Sequence, residues 1–183
     1  MSRPDGSTDR TPGREPLLSV SDLRTVFYTD KETIHAVDGI SFDIYPGETV
    51  GLVGESGSGK SVTARSLLGL VDEPGVVEEG TLEFKGEDLL ETGWAEYRGD
   101  LSIVFQDPSN ALNPVYTVGN QIREALAIHQ GLRGSAARER AIELLEAVRI
   151  PDAPRRVKEY PHQFSGGMQQ RAVIAIALAC DPD

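Results

Sequence analysis

The sequence predicts an α/β fold, and three observations predict it. A short β-branched apolar run at residues 49–53 leads directly into a glycine-rich loop, and that loop opens a helix. Ile40, Phe42 and Ile44 alternate with polar neighbours, the period of a half-buried strand. Between residues 117 and 160 the period changes, with Val118, Ile122 and Leu126 on one helical face and Ile142, Leu145 and Val148 on another.

Taken in chain order, residues 1–15 hold Pro, Gly, Ser and charge with no apolar block, which predicts a disordered leader and no secretory signal. Residues 17–28 suit a strand. Pro46-Gly47 makes a turn after the strand through Ile40 and Ile44. Residues 49–53 read as a buried parallel strand and residues 61–70 as the helix after the loop. Thr81 to Phe84 reads as a strand with Gly80 and Gly86 as its stops, and residues 101–105 as another. A mostly helical insert spans residues 117–160, its second helix opening near Ser135. Ser165 caps a last helix whose far end is apolar all round and therefore buried, with Pro182 stopping it.

Composition narrows the function. The 183 residues carry 18 basic and 29 acidic side chains, a net charge of −11, and 39% are hydrophobic. Nucleic-acid binding needs a basic face, so this balance argues against it and against a polybasic membrane anchor. The acidity suits a solvated surface, or a high-salt habitat in which self-repulsion is screened. One cysteine, Cys180, excludes a disulfide framework and reads as a small buried side chain. The longest apolar run, residues 172–180, falls well short of the roughly 20 residues that span a bilayer.

The loop Gly54-Glu55-Ser56-Gly57-Ser58-Gly59-Lys60-Ser61 fits G-x-x-x-x-G-K-[ST] in full. Backbone N–H groups surround a polyphosphate only where no Cβ intervenes, hence Gly57 and Gly59. The helix beginning after the loop, through Val62, aims its free N–H groups and positive dipole end at the same phosphates. Lys60 adds a full charge near the β and γ phosphates, and the Ser61 hydroxyl is a hard ligand for Mg²⁺. Glu55 is compatible with an anion site only with its side chain turned to solvent.

Phe164-Ser165-Gly166-Gly167-Met168-Gln169-Gln170-Arg171 places a second glycine pair at a helix N-terminus. By itself it is a turn with a cap, or a second anion site. With the phosphate loop upstream, the chain resembles the nucleotide-binding subunits of ATP-binding cassette (ABC) transporters over residues 16–183. Their signature is Leu-Ser-Gly-Gly-Gln; here Phe164 and Met168 depart from it and the Ser165-Gly166-Gly167 centre is intact. Gln106 matches the family's glutamine loop. Phe27 stands where the family stacks an aromatic ring on adenine, with Tyr28 as runner-up and a strand-face core role as the alternative. The stretches from Gln106 to Pro114 and from Tyr160 to Met168 look like importers of dipeptides, oligopeptides and nickel. His162, between Pro161 and Gln163 with no second ligand near, reads as structural rather than metal-binding.

The resemblance implies a P-loop NTPase (RecA-like) core with an antiparallel β subdomain and a helical insert. It implies Mg·ATP as cofactor, Lys60 and Gln106 in catalysis, and Ser61 and Gln106 on the metal. Ser165, Gly166, Gly167, Met168 and Gln169 would face a partner's ATP. The implied partners are a second ATPase subunit, transmembrane permease subunits and, indirectly, an extracytoplasmic solute-binding protein, with the subunit peripheral on the cytoplasmic face of the membrane. A soluble cassette in repair or translation, or a non-catalytic nucleotide-binding remnant, is the alternative. The family's aliphatic strand ending in Asp-Glu would begin after Asp183, and a switch histidine would follow. His35, His129 and His162 all precede that point, so the chain is expected to be incomplete at its C-terminus and inactive by itself.

Overall fold

The computed structural model describes residues 14–183, with Ser109 and Asn110 described by backbone alone. The expected leader therefore lies outside the described residues except for Arg14 and Glu15. Arg14 lies over the Tyr45 ring, 5.5 Å from its centroid, and donates to the Pro46 carbonyl. The chain divides into two compact units, residues 1–95 and 96–183.

The first unit is built on an antiparallel sheet of order β2-β1-β3-β4. Its strands are β1 (Leu18–Tyr28), β2 (Thr33–Ile44), β3 (Gly75–Phe84) and the short β4 (Glu87–Asp88). Helix α1 (Lys60–Leu67) and the single turn α2 (Leu89–Thr92) complete it. β1 is central, pairing Leu18 with Ile44 on one side and with Phe84 on the other. Leu18, Val20, Leu23, Val26, Val37, Leu82, Phe84 and Leu89 form its buried core.

Gly80 corrects one expectation. It lies inside β3 at φ +108 rather than stopping the strand. The β1–β3 register shifts between Ser21 and Arg24. A Cβ on Gly80 would stand 2.8 Å from the carbonyl oxygens of both Ser21 and Asp22. The glycine is there because the bulge brings two backbones together.

The expected strands at 49–53 and 101–105 pair with nothing among the described residues. Val53 is 93% exposed, and Val50, Leu52, Val104 and Phe105 are also exposed. A buried parallel strand exists only with neighbours on both edges. The four antiparallel strands supply none here, so the apolar composition stands without the ladder.

The second unit is helical: α3 (Pro108–Ala111), α4 (Val118–His129), α5 (Gly134–Ala147), α6 (Ala153–Arg156) and α7 (Gly166–Leu178). Val118, Ile122 and Leu126 of α4 pack with Ala141, Leu144 and Leu145 of α5 and Ala172, Val173 and Ala175 of α7. The helical stretch at 117–160 thus shares one core with α7 and with Leu112 and Phe164. Gly119 permits the closest approach, since a Cβ there would stand 2.2 Å from the Val157 carbonyl oxygen.

The far end of α7 is less covered than its composition predicts. Ala172, Ala175 and Ala179 are buried, but Leu178 is 40% exposed. Ile176, Ala177 and Cys180 line an open apolar groove of about 500 Å³ with Leu101, Ile103 and Phe105. Cys180 is accordingly half-buried, and burial pushes its thiol above its ordinary value of 9.0.

Candidate phosphate-binding site

α1 is fixed before any ligand arrives. Thr25 of β1 and Ser66 of α1 share a buried 2.8 Å hydrogen bond. The Ser66 hydroxyl also donates to the Val62 carbonyl at 2.9 Å, so its one proton is used and Thr25 is the donor to it. At the other end the Trp94 indole N–H donates to the Leu67 carbonyl at 2.9 Å. Its ring lies over Gly69, where a Cβ would meet Trp94 Cδ2 at 2.6 Å. α1 consequently stops at Leu67 rather than Leu70.

The loop enters α1 through Gly59, the N-cap residue, at φ 86 and ψ −2. Gly57 has φ +81. The two glycines serve different purposes. A Cβ on Gly59 would stand 2.2 Å from the Ala36 carbonyl oxygen of β2, whereas one on Gly57 would meet nothing within 4 Å. Gly59 seats the helix on the sheet; Gly57 leaves open space in front of the loop. Gly54 is also constrained, since its Cβ would meet Ser58 Oγ at 2.5 Å.

α1 has no side-chain cap and no acidic residue in its first turn. Its leading N–H groups have no acceptors within the helix and face the same space, the arrangement that receives an anion. Lys60 Nζ donates to the carbonyl oxygens of Gly54 (2.8 Å) and Glu55 (2.6 Å) and to Ser58 Oγ (3.3 Å). Its charge is held inside the loop by dipoles that a phosphate oxygen can replace. Glu55, Ser56, Ser58 and Ser61 are exposed, and Val62 is half-buried.

Phe27 is half-buried on β1, its ring against Gly75, whose Cβ would meet Phe27 Cε1 at 2.6 Å. Tyr28 is 49% exposed and donates to Glu78. That hydrogen bond, then partial desolvation and the Glu78 charge, raise its hydroxyl above the ordinary value.

In the second unit Gln106 is exposed in the bend before α3. Ser165 occupies the N-cap position of α7 with extended backbone (φ −65, ψ 158), but its hydroxyl makes no capping hydrogen bond. Its carbonyl accepts from the Met168 and Gln169 N–H groups, both at 2.9 Å. Ser165, Gly166 and Gly167 are exposed, and a Cβ on either glycine would meet nothing. The fold itself therefore leaves the space before them open. Met168 instead packs against the helical core. Gln169 turns inward, its amide donating to the carbonyls of Pro161 (2.8 Å) and Phe164 (3.4 Å). His162 stacks on Tyr160 with ring centroids 5.7 Å apart, and no cluster of metal ligands occurs among the described residues.

Sequence reasoning passed over Thr25, Ser66 and Trp94. No local motif marks them, because their role is to hold α1 across a tertiary contact.

A Brucella abortus protein named for peptide import and ATP binding is 55% identical over 171 residues, covering 91% of this chain and 52% of its own length. The dipeptide transport ATP-binding protein of Bacillus subtilis is 50% identical over 174 residues, covering 92% and 52%. The chain thus spans about half the length of the curated relatives it matches. A solved ATP-binding cassette, dimeric in a post-hydrolysis state with ADP and Pi bound, superposes with a TM-score of 0.77. It is 28% identical over 90% of this chain and 70% of its own. The ABC transporter family model matches residues 37–183, beginning inside β2 and taking in the phosphate loop and the α7 glycine pair, and the chain belongs to that family.

Proposed function

We propose that this chain is part of an ATP-binding subunit that couples ATP binding and hydrolysis to import of peptides, or a related small solute, through a membrane permease. The observation that carries ATP binding is the loop at Gly54–Ser61, with Gly59 seated against β2, Gly57 facing open space and an uncapped helix behind them. The peptide assignment is supported by relatives at 50–55% identity that are named for peptide and dipeptide transport.

The residues fit a bound Mg·ATP. Gly54, Glu55, Ser56, Gly57, Ser58, Gly59, Lys60, Ser61 and Val62 would enclose the phosphates with backbone N–H groups. Lys60 would exchange its loop carbonyls for phosphate oxygens. Phe27 would offer its ring edge near the base. Mg²⁺, when bound, neutralises charge developing on the transferred phosphoryl group. Ser61 would offer it an oxygen from the phosphate loop, and the family resemblance gives Gln106 the role of a further ligand that helps to orient water. Ser165, Gly166 and Gly167 would present their open face to the ATP of a second subunit, with Met168 and Gln169 supporting them from the core side.

Hydrolysis is read as a property of the whole protein. Phosphoryl transfer depends on positioned carboxylates and water besides a phosphate cradle. No helix among the described residues is long and apolar enough to cross a membrane. Attachment to the cytoplasmic face would run through permease subunits.

Lys60→Ala tests the reading. Loss of a charge-assisted contact should weaken binding of a fluorescent ATP analogue by roughly 2–3 kcal/mol. Equal affinity in the two proteins would remove the phosphate-loop assignment.

A further inference from the structure

Three basic side chains of the helical unit are matched to acids. Arg140 pairs with Glu143 at 2.9 Å, Arg155 with Asp152 at 3.0 Å, and Arg156 with Glu159 at 2.6 Å. Arg123, Arg138 and Lys158 are not: none has an acidic partner among the described residues. All three line one hollow of about 200 Å³, together with Thr117, Asn120 and Val157, and no acidic residue lines it. In a chain with 29 acids and 18 bases, three unmatched cations gathered on one hollow stand out as a local inversion of charge.

Their surroundings leave donors without acceptors. Arg123 Nε is buried and unbonded, while its other arm donates weakly to Asn120 Oδ1 at 3.3 Å. A buried guanidinium N–H with no acceptor is costly unless something supplies one. Thr117 Oγ1 accepts from the Asn120 N–H at 3.2 Å, which leaves its hydroxyl proton available. The first N–H groups of α4 do not serve here. Val118 and Gly119 donate to the carbonyls of Glu159 and Val157 at 2.9 and 3.0 Å. Any ligand would thus be held by side chains from α4, α5 and the turn after α6.

We propose that this hollow binds a small phosphate-bearing anion. Two guanidinium forks and an ammonium match the several oxygens of a phosphate group, and a single carboxylate would leave much of their charge unanswered. The hollow, about 200 Å³ and open to solvent, has room for a phosphate with a few attached atoms. The site lies wholly within the helical unit, and the proposal does not depend on nucleotide binding at the phosphate loop.

The test uses the 183-residue chain carrying Lys60→Ala, so that the phosphate loop is disabled. Pyrophosphate is titrated at low ionic strength and followed by nitrogen–proton NMR. The proposal expects saturable shifts of the Arg123 Nε–H and the Asn120 N–H. It expects at least tenfold weaker binding in Arg138→Gln/Lys158→Gln, whose exposed positions leave the fold intact, as unchanged dispersion of the remaining amide signals would show. Shifts confined to residues 54–62, shifts that fail to saturate, or undiminished binding in the double variant would overturn it.

Discussion

The two positive-φ glycines of the phosphate loop should respond very differently to alanine. At either position a Cβ in left-handed backbone costs about 1–2 kcal/mol. At Gly57 that is nearly the whole cost, because the new atom meets nothing within 4 Å. At Gly59 the Cβ would arrive 2.2 Å from the Ala36 carbonyl oxygen. Ordinary contact begins near 3.4 Å, so the β2 backbone or the start of α1 must retreat by 3.4 − 2.2 = 1.2 Å. Neither moves freely. Ala36 lies in β2 between the paired positions His35 and Val37, and α1 is held by Thr25, Ser66 and Trp94. Overpacking of this kind costs about 1–3 kcal/mol more. Gly59→Ala should therefore be destabilised by about 2–5 kcal/mol and Gly57→Ala by about 1–2. Trp94, the one tryptophan, reports on the unit that contains both sites. Urea unfolding followed by its fluorescence should place the Gly59→Ala midpoint about 1 M below that of Gly57→Ala, for a slope of 1–3 kcal/mol per M. Coincident midpoints, or a lower one for Gly57→Ala, would refute the claim that Gly59 is a packing glycine.

Thr25→Val keeps the shape of the side chain but removes the donor to Ser66, and should cost about 1 kcal/mol in the same urea experiment. No loss would show that α1 is held without that bond. Gln169→Leu should also cost about 1 kcal/mol, by freeing the loop that ends at Phe164, and circular dichroism melting checks it. An unchanged melting temperature would return Gln169 to a purely ligand-facing role. Burial raises the Cys180 thiol, so the protonated form persists in the folded chain at pH values where an unfolded thiol is already ionising. Its iodoacetamide alkylation should accordingly rise at higher pH in the folded than in the urea-unfolded chain; matching profiles would contradict the shift.

What the sequence determined by itself was local. The phosphate loop is legible because phosphate chemistry dictates glycine, lysine and serine at fixed spacing, and each is where the motif places it. The strand at residues 17–28 and the helices opening near residues 118 and 135 are legible because hydrophobic period acts over a few positions, as with Val118, Ile122 and Leu126, all buried on one face of α4. Tertiary structure decided everything that needs a distant neighbour. Residues 49–53 and 101–105 have strand composition, yet a strand is completed by hydrogen bonds to another chain segment, and composition cannot announce whether one lies alongside. Gly80 looked like a stop because the bulge it fits belongs to β1, some sixty residues earlier in the chain. Gln169 turned inward because Pro161 and Phe164 offer carbonyls that only the folded loop presents. The meeting of Arg123, Arg138 and Lys158 was likewise invisible in sequence. Their shared hollow exists only once α4, α5 and the turn after α6 have packed, and helix packing is fixed by the summed fit of many side chains rather than by any one position.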